Sequence, residues 1–114
     1  MYKNTEIDVY DILKGIGYKV YPEGKFVNAN APIPCLTYIK LIDAKQAWGD
    51  TQTFNTVGFT IKVWANKIED LVDISFQVKE VLRANGFYTI DEAQDIYENK
   101  IIQRPLTAYA LVRG

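Results

Sequence analysis

From Thr53 the hydrophobic positions alternate with a period of two. Val57, Phe59, Ile61 and Val63 fall on one side, and Thr56, Gly58, Thr60 and Lys62 fall on the other. This is the pattern of a strand with one face against a core. Past Trp64-Ala65-Asn66 the period changes to that of a helix. Leu71, Ile74 with Ser75, Val78, and Val81 with Leu82 recur on one face, and Asn85-Gly86 closes the pattern. A strand and a helix joined so tightly must share one core, so the segment from Thr53 to Gly86 sets the frame of the domain.

The flanking pattern completes the frame. Asn4 or Thr5 is placed to cap a first helix, and Thr5 with Asp8 resembles a capping box. Val9, Ile12, Leu13 and Ile16 form its apolar stripe, which Gly15 and Gly17 end. Tyr18 to Tyr21 reads as a short strand before the Pro22-Glu23-Gly24 turn. Asn28 to Pro34 reads as a loop, because Pro32 and Pro34 keep their neighbours extended. Leu36 to Ile42 is a strand that is largely apolar on both sides, as expected of a central strand or one that meets another subunit. Asp43 to Gln52 reads as a long connection. After the helix, Phe87 to Ile90, Ile96 to Ile102 and Leu106 to Val112 supply the remaining strands, with Pro105 marking a bulge or an edge.

The order is α-β-β-β-α-β. Neighbouring strands joined by modest loops should pair antiparallel. Two amphipathic helices should then cover one face, giving an α+β two-layer sandwich with a mainly antiparallel sheet.

The length of 114 residues fits a single domain, 1–114. Net charge is −1, which removes the electrostatic case for binding nucleic acid or anionic membrane through a basic face. No apolar run approaches the roughly 20 residues that span a bilayer, and the N-terminus lacks the apolar run of a signal peptide. The expectation is therefore a cytoplasmic chain where it is made, with no membrane partner.

The chain contains no histidine, and Cys35 is its one cysteine. Cys35 cannot form an internal disulfide and lacks the usual base of a cysteine nucleophile; it reads as a small apolar residue at a strand start. Asp91, Glu92, Asp95 and Glu98 are the groups an acid-base or metal site would use, but they sit in a polar connection and read as solvated charges. Asp70 and Asp73 lie outside the apolar stripe of the second helix, where they favour its N-terminal dipole. Lys14, Lys19 and Lys25 interleave with Tyr18 and Tyr21, but Glu23 dilutes them and they read as a solvated edge. Gly15-Ile16-Gly17 follows a helix rather than a strand and so is not a phosphate loop. Catalytic, cofactor and metal residues are thus expected to be absent, and the role non-enzymatic.

Trp48 stands apart, beside Gly49-Asp50 in the polar connection and away from any core pattern. It has two readings: packing onto its own domain, or anchoring an interface, a role that exposed Trp and Tyr often fill. The interface candidates are Trp48, Gly49, Asp50, Phe54 and Tyr38.

Taken together, these features resemble the small tail terminator proteins of long-tailed phages and prophages, also called tail completion or tail-to-head joining proteins. The matching features are an N-terminal helix, then Tyr18-Lys19-Val20-Tyr21-Pro22, and the proline-bearing loop and strand Ala31-Pro32-Ile33-Pro34-Cys35-Leu36-Thr37-Tyr38. A loop follows, then a long strand ending in Val63-Trp64, an amphipathic helix closing with Asn85-Gly86-Phe87, and a last strand. The likeness covers nearly the whole chain as a pattern, without a diagnostic motif. It implies a structural virion protein that forms a ring, usually a hexamer, at the head-proximal end of the tail tube. The implied partners are other copies of the chain, the major tail tube protein and a head-completion or connector protein, with DNA only passing through the lumen. The implied location is the virion tail, after assembly in the host cytoplasm. The segment around Trp48 is then the one that meets neighbours or the tube.

Other readings remain open at this point. The chain fits a head-completion or minor capsid protein of similar size, or a ferredoxin-like module binding a small molecule, peptide or RNA. A small enzyme would need Asp91 and Glu98 to converge in a pocket.

Overall fold

The computed structural model describes residues 2–3, 8–23, 33–48, 52–98 and 100–113, with side chains over 8–23, 33–41, 56–98 and 100–111. The order is β1 (Tyr2–Lys3), α1 (Val9–Lys14), β2 (Lys19–Pro22), β3 (Cys35–Trp48), β4 (Gln52–Ala65), α2 (Ile68–Ala84), β5 (Phe87–Glu92), β6 (Ile96–Glu98) and β7 (Ile101–Arg113). The strands form one sheet in the order β1-β7-β4-β3-β2, and β5 and β6 also pair with β7. Both helices pack on this sheet, so the architecture is the expected α+β sandwich.

The alternating run builds the centre. β4 lies between β3 and β7, with Tyr38, Ile61 and Leu106 in register across the three strands. Val57, Phe59, Ile61, Val63 and Ala65 all enter the core. Only Asn66 and Lys67 separate β4 from α2. The helix meets the same core through Leu71, Ile74, Ser75, Val78 and Leu82. Phe59 and Phe87 meet edge-on, with ring centroids 6.1 Å apart. At the end of α2, the Asn85 side-chain amide donates to the Val81 carbonyl at 2.8 Å, and Gly86 takes a φ of 91°. Gly is the residue that adopts this conformation without strain.

Several expectations need correction. The α1 cap is Asp8, whose carboxylate accepts from the Asp11 amide at 3.3 Å; Asn4 and Thr5 lie outside the described residues. The stretch from Asp43 to Trp48 is strand rather than connection. β3 and β4 pair out to Trp48 opposite Gln52, with a register shift between Lys40 and Asp43. Backbone hydrogen bonds to β4 carry this ribbon, so no apolar alternation is needed to form it. β2 runs parallel to β3, not antiparallel. The chain between Pro22 and Cys35 is long enough to cross over, whereas an antiparallel neighbour needs only a tight turn. β1 also joins β7 in parallel, at Tyr2↔Val112 and Lys3↔Arg113.

Candidate interaction surface

The helices lie on one face of the sheet. The register places Ile39 and Leu41 of β3, Gly58 and Thr60 of β4, and Thr107, Tyr109 and Leu111 of β7 on the other. No described helix covers that face. Ile39 is 45% exposed and Leu41 39%. Gly58 is buried between them and Tyr109: a Cβ there would lie 2.8 Å from Tyr109 Cε1. The missing side chain lets the Tyr109 ring lie low across the strand, which keeps the patch flat. At the other end of this face, Trp64 Nε1 donates to the Thr37 hydroxyl at 2.9 Å, which satisfies both groups in a buried position.

The candidates from the sequence are not all brought together. Trp48 ends β3, opposite Gln52, and Phe54 is paired with Gln46 on one side and Arg113 on the other. Both belong to the far end of the ribbon; their side chains, and Gly49 and Asp50 altogether, lie outside the described residues. Tyr38 is ten residues from Trp48 along β3, about 33 Å at the rise of a strand. It packs against the core and against Tyr10, with ring centroids 6.5 Å apart. Burial first, then Asp8 and Tyr10 nearby, hold its phenol above the ordinary value. Tyr38 therefore belongs to the α1–sheet junction and not to the Trp48 patch.

The carboxylates are not simply solvated charges. Arg104 Nε donates to Asp95 Oδ1 at 2.7 Å and its Nη2 to Asp95 Oδ2 at 3.1 Å, while its Nη1 lies 3.3 Å from Glu92 Oε2. Lys79 of α2 takes the other Glu92 oxygen. Two acids and two bases thus tie the 93–95 connection and α2 to β7. Asp91 and Glu98 remain exposed. Among the described residues, no three His, Cys, Asp or Glu side chains gather where they would hold a metal ion. No described helix is long and apolar enough to cross a membrane.

Cys35 is fully buried at the start of β3, and burial pushes its thiol up to about 11. At pH 8 only about 0.1% would be thiolate, the reactive form. A thiol reagent is expected to leave the native protein unlabelled at pH 8 and to label Cys35 fully in denaturant. Rapid native labelling would show that this strand end opens.

One surface escaped the sequence reading. Ile68, Val72 and Phe76 are 41%, 50% and 57% exposed on α2. With Glu69 and Asp73 they line an open groove of about 570 Å³. The signal was present as apolar residues at i, i+4 and i+8, but acidic neighbours and the stronger core stripe masked it.

The fold and these surfaces define a small α+β domain with two apolar faces left open and no described cluster of reactive groups. No protein-family model matches the chain, and a search of curated proteins finds no relative.

Proposed function

We propose that the protein is a non-enzymatic, ring-forming structural subunit of a phage or prophage tail, acting as a tail terminator. In this role it stops growth of the tail tube at the head-proximal end and offers a surface to a head connector. The observation that carries the reading is the pair of open apolar faces, Ile39 with Leu41 on the sheet and Ile68, Val72 and Phe76 on α2. Two different exposed faces on one subunit suit a head-to-tail contact, and such contacts close into rings when the rotation permits. The long β3–β4 ribbon, paired out to Trp48 opposite Gln52, adds an extended element suited to contact with a neighbour or the tube. A near-neutral net charge suits self-association better than steering onto DNA.

The reading predicts oligomers that grow with protein concentration, or a monomer that assembles on a tail tube. Trp48→Ala is expected to weaken ring formation, seen by sedimentation velocity and negative-stain microscopy, while circular dichroism stays that of the folded monomer. Unchanged assembly would remove Trp48 from the interface. A ligand bound stoichiometrically by a stable monomer would favour the binding-module alternative.

A further inference from the structure

Asn85-Gly86 is the one Asn-Gly pair in the chain. Asparagine is among the thermolabile residues, and the chemistry is intramolecular. The backbone nitrogen of the next residue attacks the side-chain amide carbon and closes a five-membered ring. Glycine is the most permissive neighbour, because no side chain shields its nitrogen or restricts its backbone. By sequence alone, Asn85 is therefore the asparagine of this chain most open to loss of its amide.

The fold holds the pair away from that reaction. Asn85 has a ψ of 20°. For an L residue, ring closure needs a ψ of about −120°, where Cβ eclipses the next nitrogen. At the observed value Cβ lies nearly opposite that nitrogen, so Cγ cannot reach it. Nδ2 of Asn85 donates to the Val81 carbonyl at 2.8 Å, which fixes the side chain along the helix end. The Gly86 N–H donates to the Arg83 carbonyl at 3.2 Å, so the attacking nitrogen is held by its proton. Water is not excluded, since Asn85 is half-buried and Gly86 is exposed. Conformation, rather than shielding, protects the pair. Leu82 and Phe87, 0% and 3% exposed, clamp the corner from both sides. Turning Asn85 to the reactive ψ therefore means releasing the last turn of α2 or the start of β5 from the core.

We propose that Asn85 is a latent self-modification site, closed in the folded domain and opened when the α2–β5 corner comes apart. In the opened chain the Gly86 nitrogen loses its proton to solvent and bonds to Asn85 Cγ. The Cγ–Nδ2 bond breaks, and ammonia leaves with a proton taken from water. Water then opens the succinimide at one carbonyl or the other, giving aspartate or isoaspartate. Neither product restores the corner. Each carboxylate lacks the N–H that the Val81 carbonyl accepts, and each puts negative charge at the negative end of the helix. Isoaspartate also adds a backbone carbon just before Gly86, whose φ of 91° sets the turn. Conversion is thus one-way. It is independent of the ring reading.

Peptide mapping by mass spectrometry tests the proposal. The full wild-type chain is incubated in mildly alkaline buffer, folded and in guanidinium chloride, and the peptide carrying Asn85-Gly86 is followed with time. The folded protein should convert at least about tenfold more slowly, the ratio that an opening free energy of about 1.4 kcal/mol gives. Folded Leu82→Ala, which loosens the clamp, should convert faster than the folded wild type. Asn85→Asp, which reproduces one product, should melt below the wild type by circular dichroism. Equal rates in the folded and denatured wild type would mean that the corner does not hold Asn85 and would overturn the proposal. So would a denatured chain that keeps its amide. An unchanged melting temperature for Asn85→Asp would overturn the one-way step. Should Leu82→Ala not fold, the two wild-type rates still decide the matter.

Discussion

Leu71→Ala is expected to lower the stability of the folded monomer by about 3 kcal/mol, within the roughly 2–5 kcal/mol that such truncations cost. The same change at Val72, the next residue, is expected to stay within about 0.5 kcal/mol, as surface substitutions usually do. Leu71 has no exposed surface and lies in the α2–β4 core, so its removal leaves a cavity with little room to collapse. Val72 is half exposed, and its methyl groups face water in the monomer. A domain of this size holds roughly 6–17 kcal/mol in all, so Leu71→Ala removes a large fraction. Urea titrations at low protein concentration would show this as a lower midpoint at unchanged slope, with a melting temperature roughly 10–15 °C lower. If Val72→Ala were as damaging as Leu71→Ala, the outer stripe of α2 would be packed within the monomer and not open to a partner. Repeating the Val72 measurement at high concentration separates the two: an effect that emerges only there belongs to assembly.

That contrast also shows what the sequence could reveal. The switch of period at Trp64-Ala65-Asn66 located the β4–α2 join, because a buried face must repeat at the period of its element. The α1 stripe was legible for the same reason, with Val9 and Leu13 buried and Ile12 and Ile16 packed beside them. The capping residue was misplaced because Thr5 and Asp8 offer two side chains able to accept from a helix N-terminus three residues on. The outer half of β3 was not legible, since Asp43 to Trp48 carries no apolar alternation in the sequence, while its backbone pairs with β4 out to Trp48. The parallel β2–β3 pair escaped as well: local pattern predicts a strand but not the direction in which a long connection returns it.

The site was less legible than the fold. A lone tryptophan in a polar stretch attracted notice as an interface anchor, yet the exposed faces with described side chains lie elsewhere. The strand of Ile39 and Leu41 is apolar on both sides, which fits a central strand or one that meets another subunit, and only the position of the helices shows which side is bare. The chemistry of Glu92 and Asp95 was hidden too. Their basic partners, Arg104 and Lys79, are 9 and 13 residues away in sequence, and only the β5–β7 pairing and the packing of α2 bring them close.

Arg104→Met should cost about 2 kcal/mol at pH 7, between the 0–1 kcal/mol of an exposed ion pair and the 3–5 kcal/mol of a broken buried one. The Arg104 and Asp95 side chains are only 17% and 18% exposed, so water replaces the lost donors poorly. The paired hydrogen bonds from Arg104 hold the Asp95 carboxyl below its ordinary 3.8, with the positive charge adding to the effect and burial opposing it. A carboxyl whose pKa is lower folded than unfolded stabilises the protein above the unfolded value. That stability is lost as pH falls through the folded value. The difference between wild type and Arg104→Met should therefore be full at neutral pH and shrink below about pH 4. Added salt should screen such a partly covered pair only in part. Asp95→Asn in each background completes a double-mutant cycle that isolates the pair from the Glu92–Lys79 contact. A coupling of about 1 kcal/mol or more is expected at pH 7. Coupling near zero, or a difference unchanged at pH 3, would mean that the 93–95 connection is held by its backbone bond, Ala93 N–H to the Pro105 carbonyl at 2.9 Å, and not by its charges.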